Sequence, residues 1–419
     1  MNNVAQIRTA RHRPPQEPDF LRRQVDVYYQ DRVAPWGGGH IMIGRVPGEG
    51  AVRLLSNDYL SMARHPEVIE AQCRVLEGAD PALLMAAVFL HGDNPQARFE
   101  QQMAKWMQAE SAVLSQSGWA ANTGLIQSIA GPDVPCYIDM FAHASLWEGI
   151  RSAESSAHPF RHNAPEHLDS LLRRHGPGVV IVDSVYSTSG SIAPLRDIVD
   201  VAERHAAVIV VDEAHSLGTH GPEGRGLVVD LGLTSRVHFR TASLAKAFAG
   251  RAGIVTCSER IAEFLKYTAN PAIFSSGLLA HELAGLEATL KVISRSDDRR
   301  RRLHRNADYL RSGLSELGYN LDLSEAQILG LEAGPELATM KLRDALEARG
   351  VFGSVFCAPA TPKNRSLIRF TVNSDLTLAE LDHVIDVCAE IRDEVGLAHW
   401  HSTRRRRHRH APLAAVANA

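Results

Sequence analysis

Lysine is what this chain has least of. Of its 45 basic residues only six are lysine, at Lys105, Lys246, Lys266, Lys291, Lys341 and Lys363. None follows glycine and none precedes serine or threonine, so the chain has no phosphate-binding loop of the Gly-Lys-Ser/Thr kind. That absence disposes of the most conspicuous motif. VIVVDEAHSLG, residues 208–218, contains the Asp-Glu-Ala-His of nucleic-acid helicases, but a helicase needs a cradle for a triphosphate. Cysteine is scarce too: Cys73, Cys136, Cys257, Cys357 and Cys388 are odd in number and scattered. They show no metal-ligand spacing and point to a reducing compartment. No apolar run approaches membrane-spanning length, and MNNVAQIRTARHRPPQEPDF lacks the apolar core of a signal peptide. A cytoplasmic protein without membrane insertion and without a metal is expected. With a net charge of −3 there is no general reason to expect a nucleic-acid partner. The one charge block, RRRRHRH at Arg404 to His410, is expected to be a solvated, disordered end.

What is present suits a large core. The chain has 419 residues, 45% of them hydrophobic and 22% charged, enough for two structural lobes. Between residues 100 and 260, β-rich runs alternate with helical patterns. Strands are predicted at 112–117, 134–139, 178–185, 206–212, 237–243 and 252–257. This is the α/β pattern of a parallel sheet with crossover helices, and the continuous Val/Ile character suits strands covered on both faces. APLRDIVDVAERHA (193–206) has the 3–4 spacing of an amphipathic helix. Ser117, Asp139, Asp183, Asp212 and Ser243 close their strands, at the sheet edge where α/β folds bind ligands. A long helical stretch over 281–318 leads into an α+β region with strands near 326–332 and 367–372. The expected organisation is an N-terminal helix (20–31) and arm to residue 55, a large domain over 56–290, a small domain over 291–398 and a basic tail from 399.

Among the lysines, Lys246 is set apart by its surroundings. RTASLAKAFAGRAG places it among small and apolar residues just past a predicted strand. A desolvated amine there would have a lowered pKa and attack an aldehyde; the competing reading is a lysine whose stem packs while its head stays in water. Pyridoxal 5′-phosphate requires such an amine, an acid at its ring nitrogen, a ring-packing group and a phosphate site. The same sheet edge offers candidates for each. Asp212 can pair with the ring nitrogen, His215 with the ring hydroxyl, and His143 can stack on the ring. Ser117, Gly118 and Trp119 lie where a strand turns into a helix, whose N-terminus binds phosphate through backbone N–H groups, and Ser243 adds a hydroxyl. Any one of these is weak in a chain with 20 histidines; their order and shared edge carry the reading.

The motifs SNDYLSMARHPEV (56–68), SGWAANTGL, FAHASLWEG (141–149), DSVYSTSGSIAPL (183–195), VDEAHSLGTHGPEGRG (211–226), TASLAKAF (241–248) and IFSSGLL (273–279) resemble those of the α-oxoamine synthases. The resemblance covers about residues 50 to 395. It implies the fold-type I architecture of pyridoxal-phosphate enzymes, with a mostly parallel seven-stranded sheet in a large domain and a smaller α+β C-terminal domain. Within the family, LSQSGW, YIDMFAHASLWEG, HGPGVVIVDSVYST, VHFRTASLAKAFAGRAG and VFGSVFCAPATPKN (351–364) are most similar to quorum-sensing autoinducer synthases that make long-chain α-aminoketones and α-hydroxyketones. The implied reaction is decarboxylative condensation of a fatty acyl-CoA with an amino-acid-type substrate, S-adenosylmethionine or 2-aminobutyrate. Carried over by position, Lys246 is the coenzyme-linked lysine, with Asp212, His215 and His143 around the ring, Ser184 near it, and Ser243 on the phosphate. Ser276 matches a residue reaching the phosphate of a neighbouring subunit, which implies a homodimer with a shared active site. Asn57 lies near the substrate, and Arg369 matches the arginine that binds the substrate carboxylate. The family's glycine-rich run is replaced by MAAVFLHGDN (85–94), whose Val88, Phe89 and Leu90 suit a greasier pocket. An amino-oxononanoate synthase of biotin synthesis, or a fold retained as a non-catalytic binding module, are the alternatives.

Overall fold

The structure, a computed structural model, describes residues 15–78 and 85–404. The arginine-rich block beyond Arg404 lies outside the described residues. The chain forms two compact units, Met1–Val46 and Pro47–Ala419. In the first, the helix Asp19–Arg32 agrees with the predicted span and buries none of its own residues.

The second unit holds eleven strands among the described residues. They are β1 (Val52–Leu54), β2 (Ser111–Ser115), β3 (Cys136–Asp139), β4 (Ala157–Phe160), β5 (Val179–Asp183) and β6 (Val208–Asp212). After these come β7 (Phe239–Ser243), β8 (Gly253–Cys257), β9 (Ile328–Gly334), β10 (Val351–Phe356) and β11 (Ser366–Thr371). Seven of them form one sheet in the order β2-β8-β7-β6-β5-β3-β4. Neighbours from β7 to β4 run parallel, whereas β8 is antiparallel to both β7 and β2. The α/β, mostly parallel seven-stranded architecture expected from the sequence is therefore present.

Alternation along the strands explains its stability. Val180, Val182, Ile209 and Val211 enter one apolar cluster, while Val179, Ile181, Val210 and Ile138 enter the other, on the opposite face. Each such side chain contributes about 1.5–3 kcal/mol on burial. The edge strand β4, AHPF, was not predicted. Its alternating exposure and its proline suit an edge position, and four residues interrupted by a proline carry no β signal.

A second sheet has the order β1-β10-β11-β9, with β1 parallel to β10 and the other pairs antiparallel. Residues 52–54, assigned from the sequence to the N-terminal arm, are thus a strand of this C-terminal sheet. The long helical stretch is two helices, Ala280–Ser294 and Asp297–Glu316, broken at Arg295–Ser296. The expected boundary near 290 therefore falls inside a helix, because the pattern of apolar residues continues past it.

Candidate active site

The parallel strands deliver their last residues to one edge, and Asp183 and Asp212 are register partners there. Both are buried. One Asp212 oxygen accepts from the backbone N–H of Ala214 (2.8 Å), the other from the Asn122 amide (2.7 Å). Burial holds Asp183 well above the usual carboxylate range, and the charges of Asp212 and Asp139 push the same way. Its carboxyl oxygen accepts from the His143 backbone N–H (3.2 Å).

Lys246 follows β7 in a turn. Its amine makes no hydrogen bond or ion pair among the described residues. Desolvation lowers its pKa, the positive charge of Arg369 lowers it further, and Asp212 opposes both. The amine thus feels a guanidinium and a carboxylate whose charges act in opposite directions.

His143 caps the helix Ala144–Ser152, its Nδ1 lying 2.7 Å from the Ser145 hydroxyl. The ring keeps an exposed face and stands edge-on to Trp119, with centroids 6.2 Å apart. The protein packed round it lowers its pKa, as does Lys246, against the pull of Asp212. His215 is buried and held well below the ordinary histidine range, first by desolvation and then by Lys246, Arg369 and His143. Its Nδ1 meets the Tyr59 hydroxyl at 2.6 Å. Burial raises the Tyr59 phenol far above its ordinary value, so it keeps its proton and donates it. The neutral imidazole accepting that bond carries its own proton on Nε2, a donor.

Opposite these groups, the helix Gly118–Ile129 begins with Ser117 accepting from the Ala120 N–H (3.1 Å). The N–H groups of Gly118 and Trp119 make no hydrogen bond among the described residues, which leaves two donors at a helix N-terminus. A Cβ on Gly118 would sit 2.5 Å from Cβ of Ser243, so only glycine lets this helix end rest against the end of β7.

Arg369, in β11, is buried with its guanidinium 4.5 Å over the Phe356 ring. It donates to the Ser187 carbonyl (2.9 Å) and to Asn57 Oδ1 (3.3 Å), while its Nε has no partner. Ser184 is fully buried and its hydroxyl is already engaged, by the Asp212 carbonyl (3.0 Å) and Ser216 (2.9 Å). It supports the floor beneath Asp212. Ser276 is exposed, and the segment around it pairs with residues 85–86. The replaced run thus lies beside Ser276, with Phe89 63% exposed.

Sequence reasoning did not find Asn122, Tyr59, Ser145 or Gln327. Asn122 lies one helical turn after Gly118, a spacing that marks a shared face. Gln327 anchors the His215 carbonyl from across the molecule (2.7 Å), and no local signal in the sequence marks it.

The set fits pyridoxal 5′-phosphate. It offers an unpartnered amine, a carboxylate already oriented by two donors, a neutral imidazole donor, two vacant N–H groups at a helix end, and an arginine with a spare N–H.

Residues 49–387 match the aminotransferase class I and II family. The chain is 49% identical to a CAI-1 autoinducer synthase of Vibrio campbellii, over 89% of its own length and 95% of the relative's. It is 31% identical to an 8-amino-7-oxononanoate synthase of Coprothermobacter proteolyticus, over 84% and 91% of the two chains. A serine palmitoyltransferase from S. paucimobilis, solved with a bound PLP–myriocin aldimine, superposes with a TM-score of 0.81 at 25% identity, over 90% of this chain and 98% of that one.

Proposed function

The chain belongs to the class I and II aminotransferase family and, within it, to the α-oxoamine synthases, and from that premise we propose that it synthesises a quorum-sensing autoinducer precursor. The reaction is condensation of a fatty acyl-CoA with an amino-acid-type substrate, S-adenosylmethionine or 2-aminobutyrate. The products are a long-chain α-aminoketone, CoA and carbon dioxide. The observation that carries this reading is the half-buried, unpartnered Lys246 amine, tuned downward between Asp212 and Arg369.

Pyridoxal 5′-phosphate, when bound, supplies an aldehyde for an amine and a ring that delocalises charge from the substrate α-carbon. The chain's own groups do the rest. The lowered pKa of Lys246 leaves its Nζ unprotonated at a lower pH than an ordinary lysine, so it can hold the aldehyde and later carry the substrate α-proton. Asp212, fixed by Asn122 and Ala214, would serve the ring nitrogen. His215 would donate from Nε2 to the ring oxygen, and His143 would pack against the ring. Gly118, Trp119 and Ser243 would hold the phosphate. Arg369 receives the substrate carboxylate through its free N–H, beside Asn57. Ser276, exposed next to Phe274 at 80% exposure, contributes to a partner's phosphate site in a homodimer.

The test is product mass spectrometry. Purified protein, coenzyme and acyl-CoAs of graded length are incubated with S-adenosylmethionine, 2-aminobutyrate, alanine or glycine. Long-chain aminoketones from the first two are expected. Turnover confined to alanine with a dicarboxylic acyl chain would identify an oxononanoate synthase instead. Lys246→Ala should lose turnover together with the coenzyme's visible absorbance, and an active Lys246→Ala protein would remove the mechanism.

A further inference from the structure

A cavity of about 1400 Å³ opens on the other side of the loop that carries His143. Its walls include Met140, Phe141, Trp147, Leu321, Leu323 and Leu367, and none of Lys246, Asp212, His215, His143 or Arg369 lines it. Ser189 does, and behind it runs a hydrogen-bonded line of side chains that the condensation leaves unused.

The line begins at Asp139, which is fully buried at the end of β3. This carboxylate accepts from the backbone N–H groups of Phe141 (2.8 Å) and Asn163 (2.9 Å), and it lies 3.0 Å from Nδ1 of His162. The His162 ring stacks on Phe141 at 4.3 Å and meets Tyr186 edge-on at 4.4 Å, so its orientation is set from two sides. Its Nε2 lies 2.9 Å from the Ser191 hydroxyl, and Ser191 lies 2.8 Å from the Ser189 hydroxyl. Asp139 can only accept from the ring, which puts the ring proton on Nδ1 and makes Nε2 an acceptor. Ser191 therefore donates to His162, and its oxygen accepts from Ser189. The direction of every proton follows from the acid at the buried end.

We infer that Ser189 is the nucleophile of a second activity, hydrolysis of esters or thioesters of apolar carboxylic acids bound in this cavity. The order carboxylate, imidazole, hydroxyl is that of nucleophilic acyl transfer, here lengthened by one relaying serine. Ser191, fully buried, cannot meet a substrate, whereas Ser189 reaches the cavity wall. The backbone N–H groups of Thr188 and Ser189 make no hydrogen bond among the described residues, so two donors stand beside the nucleophile for a developing oxyanion. In the first step the Ser189 oxygen bonds the acyl carbon while its proton passes through Ser191 to His162 Nε2. The bond to the alcohol or thiol breaks, and that group leaves as its anion and takes a proton from water in the cavity. In the second step water bonds the acyl carbon and gives up a proton to solvent, the Ser189 ester breaks, the Ser189 oxygen takes back the proton held on His162 through Ser191, and the carboxylic acid departs. This activity stands apart from the proposed condensation, because it shares no residue with it.

The experiment uses the intact, coenzyme-loaded protein with two probes, p-nitrophenyl octanoate and an alkyl fluorophosphonate. Hydrolysis of the ester is expected, with fluorophosphonate mapped to Ser189 by peptide mass spectrometry. Ser189→Ala should lower hydrolysis about a hundredfold or more, with coenzyme absorbance and thermal melting unchanged. His162→Gln should slow labelling at Ser189 without moving the label elsewhere. Unlabelled Ser189, or hydrolysis equal in wild type and Ser189→Ala, would overturn the inference. A His162→Gln protein that is folded and labelled at the wild-type rate would overturn the relay.

Discussion

The amide of Asn122 donates to Asp212 (2.7 Å) and also to the Ser145 hydroxyl (2.9 Å), which in turn meets the His143 ring. Both its protons are spent on orienting Asp212 and, through Ser145, His143, which in the proposed mechanism makes it a positioning residue. A hydrogen bond to a charged group is worth about 1.5–3 kcal/mol. Asn122→Ala should therefore lower kcat by about tenfold or more while KM for the acyl donor changes little. If Asp212 pairs with the ring nitrogen as proposed, the loosened carboxylate should also make the coenzyme's absorbance more pH-dependent. An unchanged spectrum together with unchanged kcat would contradict the assignment. At this scale the sequence is most legible where chemistry is rare. Lys246 stood out because lysine is scarce and its neighbours are small. Tyr59 and Gln327 did not, because an ordinary tyrosine and glutamine acquire roles only through what folds against them.

Elements matter here by where they end. The helix Gly118–Ile129 can bring its N-terminus to the end of β7 because residue 118 has no side chain. In Gly118→Ala the methyl group would need the space of the Ser243 Cβ, 2.5 Å away, so the helix end must lift and its two free N–H groups leave the position proposed for the phosphate. The expected outcome is at least a tenfold weaker coenzyme Kd, a loss of about 1.4 kcal/mol or more. Spectroscopic titration of the apoprotein measures it, and an unaltered Kd would show that this helix end does not carry the phosphate. The buried parallel strands were legible from their continuous Val/Ile runs, to within a few residues at each end. The edge strands β1 and β4 were not, because three or four residues with a charge or a proline among them resemble a loop until a neighbouring strand supplies the hydrogen bonds.

For the whole molecule, the contact between the loop after β6 and the helix Asp297–Glu316 joins the coenzyme-binding sheet to the C-terminal region. There His220 stands edge-on to His304, with centroids 4.9 Å apart, and His304 Nε2 bonds the Thr219 carbonyl (2.8 Å). Desolvation, helped by His304, pushes the His220 pKa down to about 3. A histidine whose folded pKa lies below its unfolded value of about 6.5 favours the fold fully above that value. The contribution is lost as pH falls below 6.5, because the unfolded chain then takes up a proton that the folded one refuses. The loss is up to roughly 1 kcal/mol per pH unit, once the partial exposure of the ring is allowed for. His220→Asn should accordingly lower stability at pH 7.5, with its gap from wild type narrowing towards pH 5. Thermal melts across that range give the comparison, and a gap that widens on acidification would refute it.

By itself the amino-acid order determined the α/β class and the strands covered on both faces, and it set one lysine apart from the other five by its small and apolar neighbours. These are properties of local composition and period, which the chain carries whether or not it is folded. Only the tertiary structure decided what acts on that lysine and on the Asp212 and His215 side chains of the same sheet edge. Arg369 arrives from a second sheet more than a hundred residues onward, Tyr59 from far upstream and Asn122 from a crossover helix. Their effect on a proton depends on distance and on the exclusion of water, and both exist only once the core has closed.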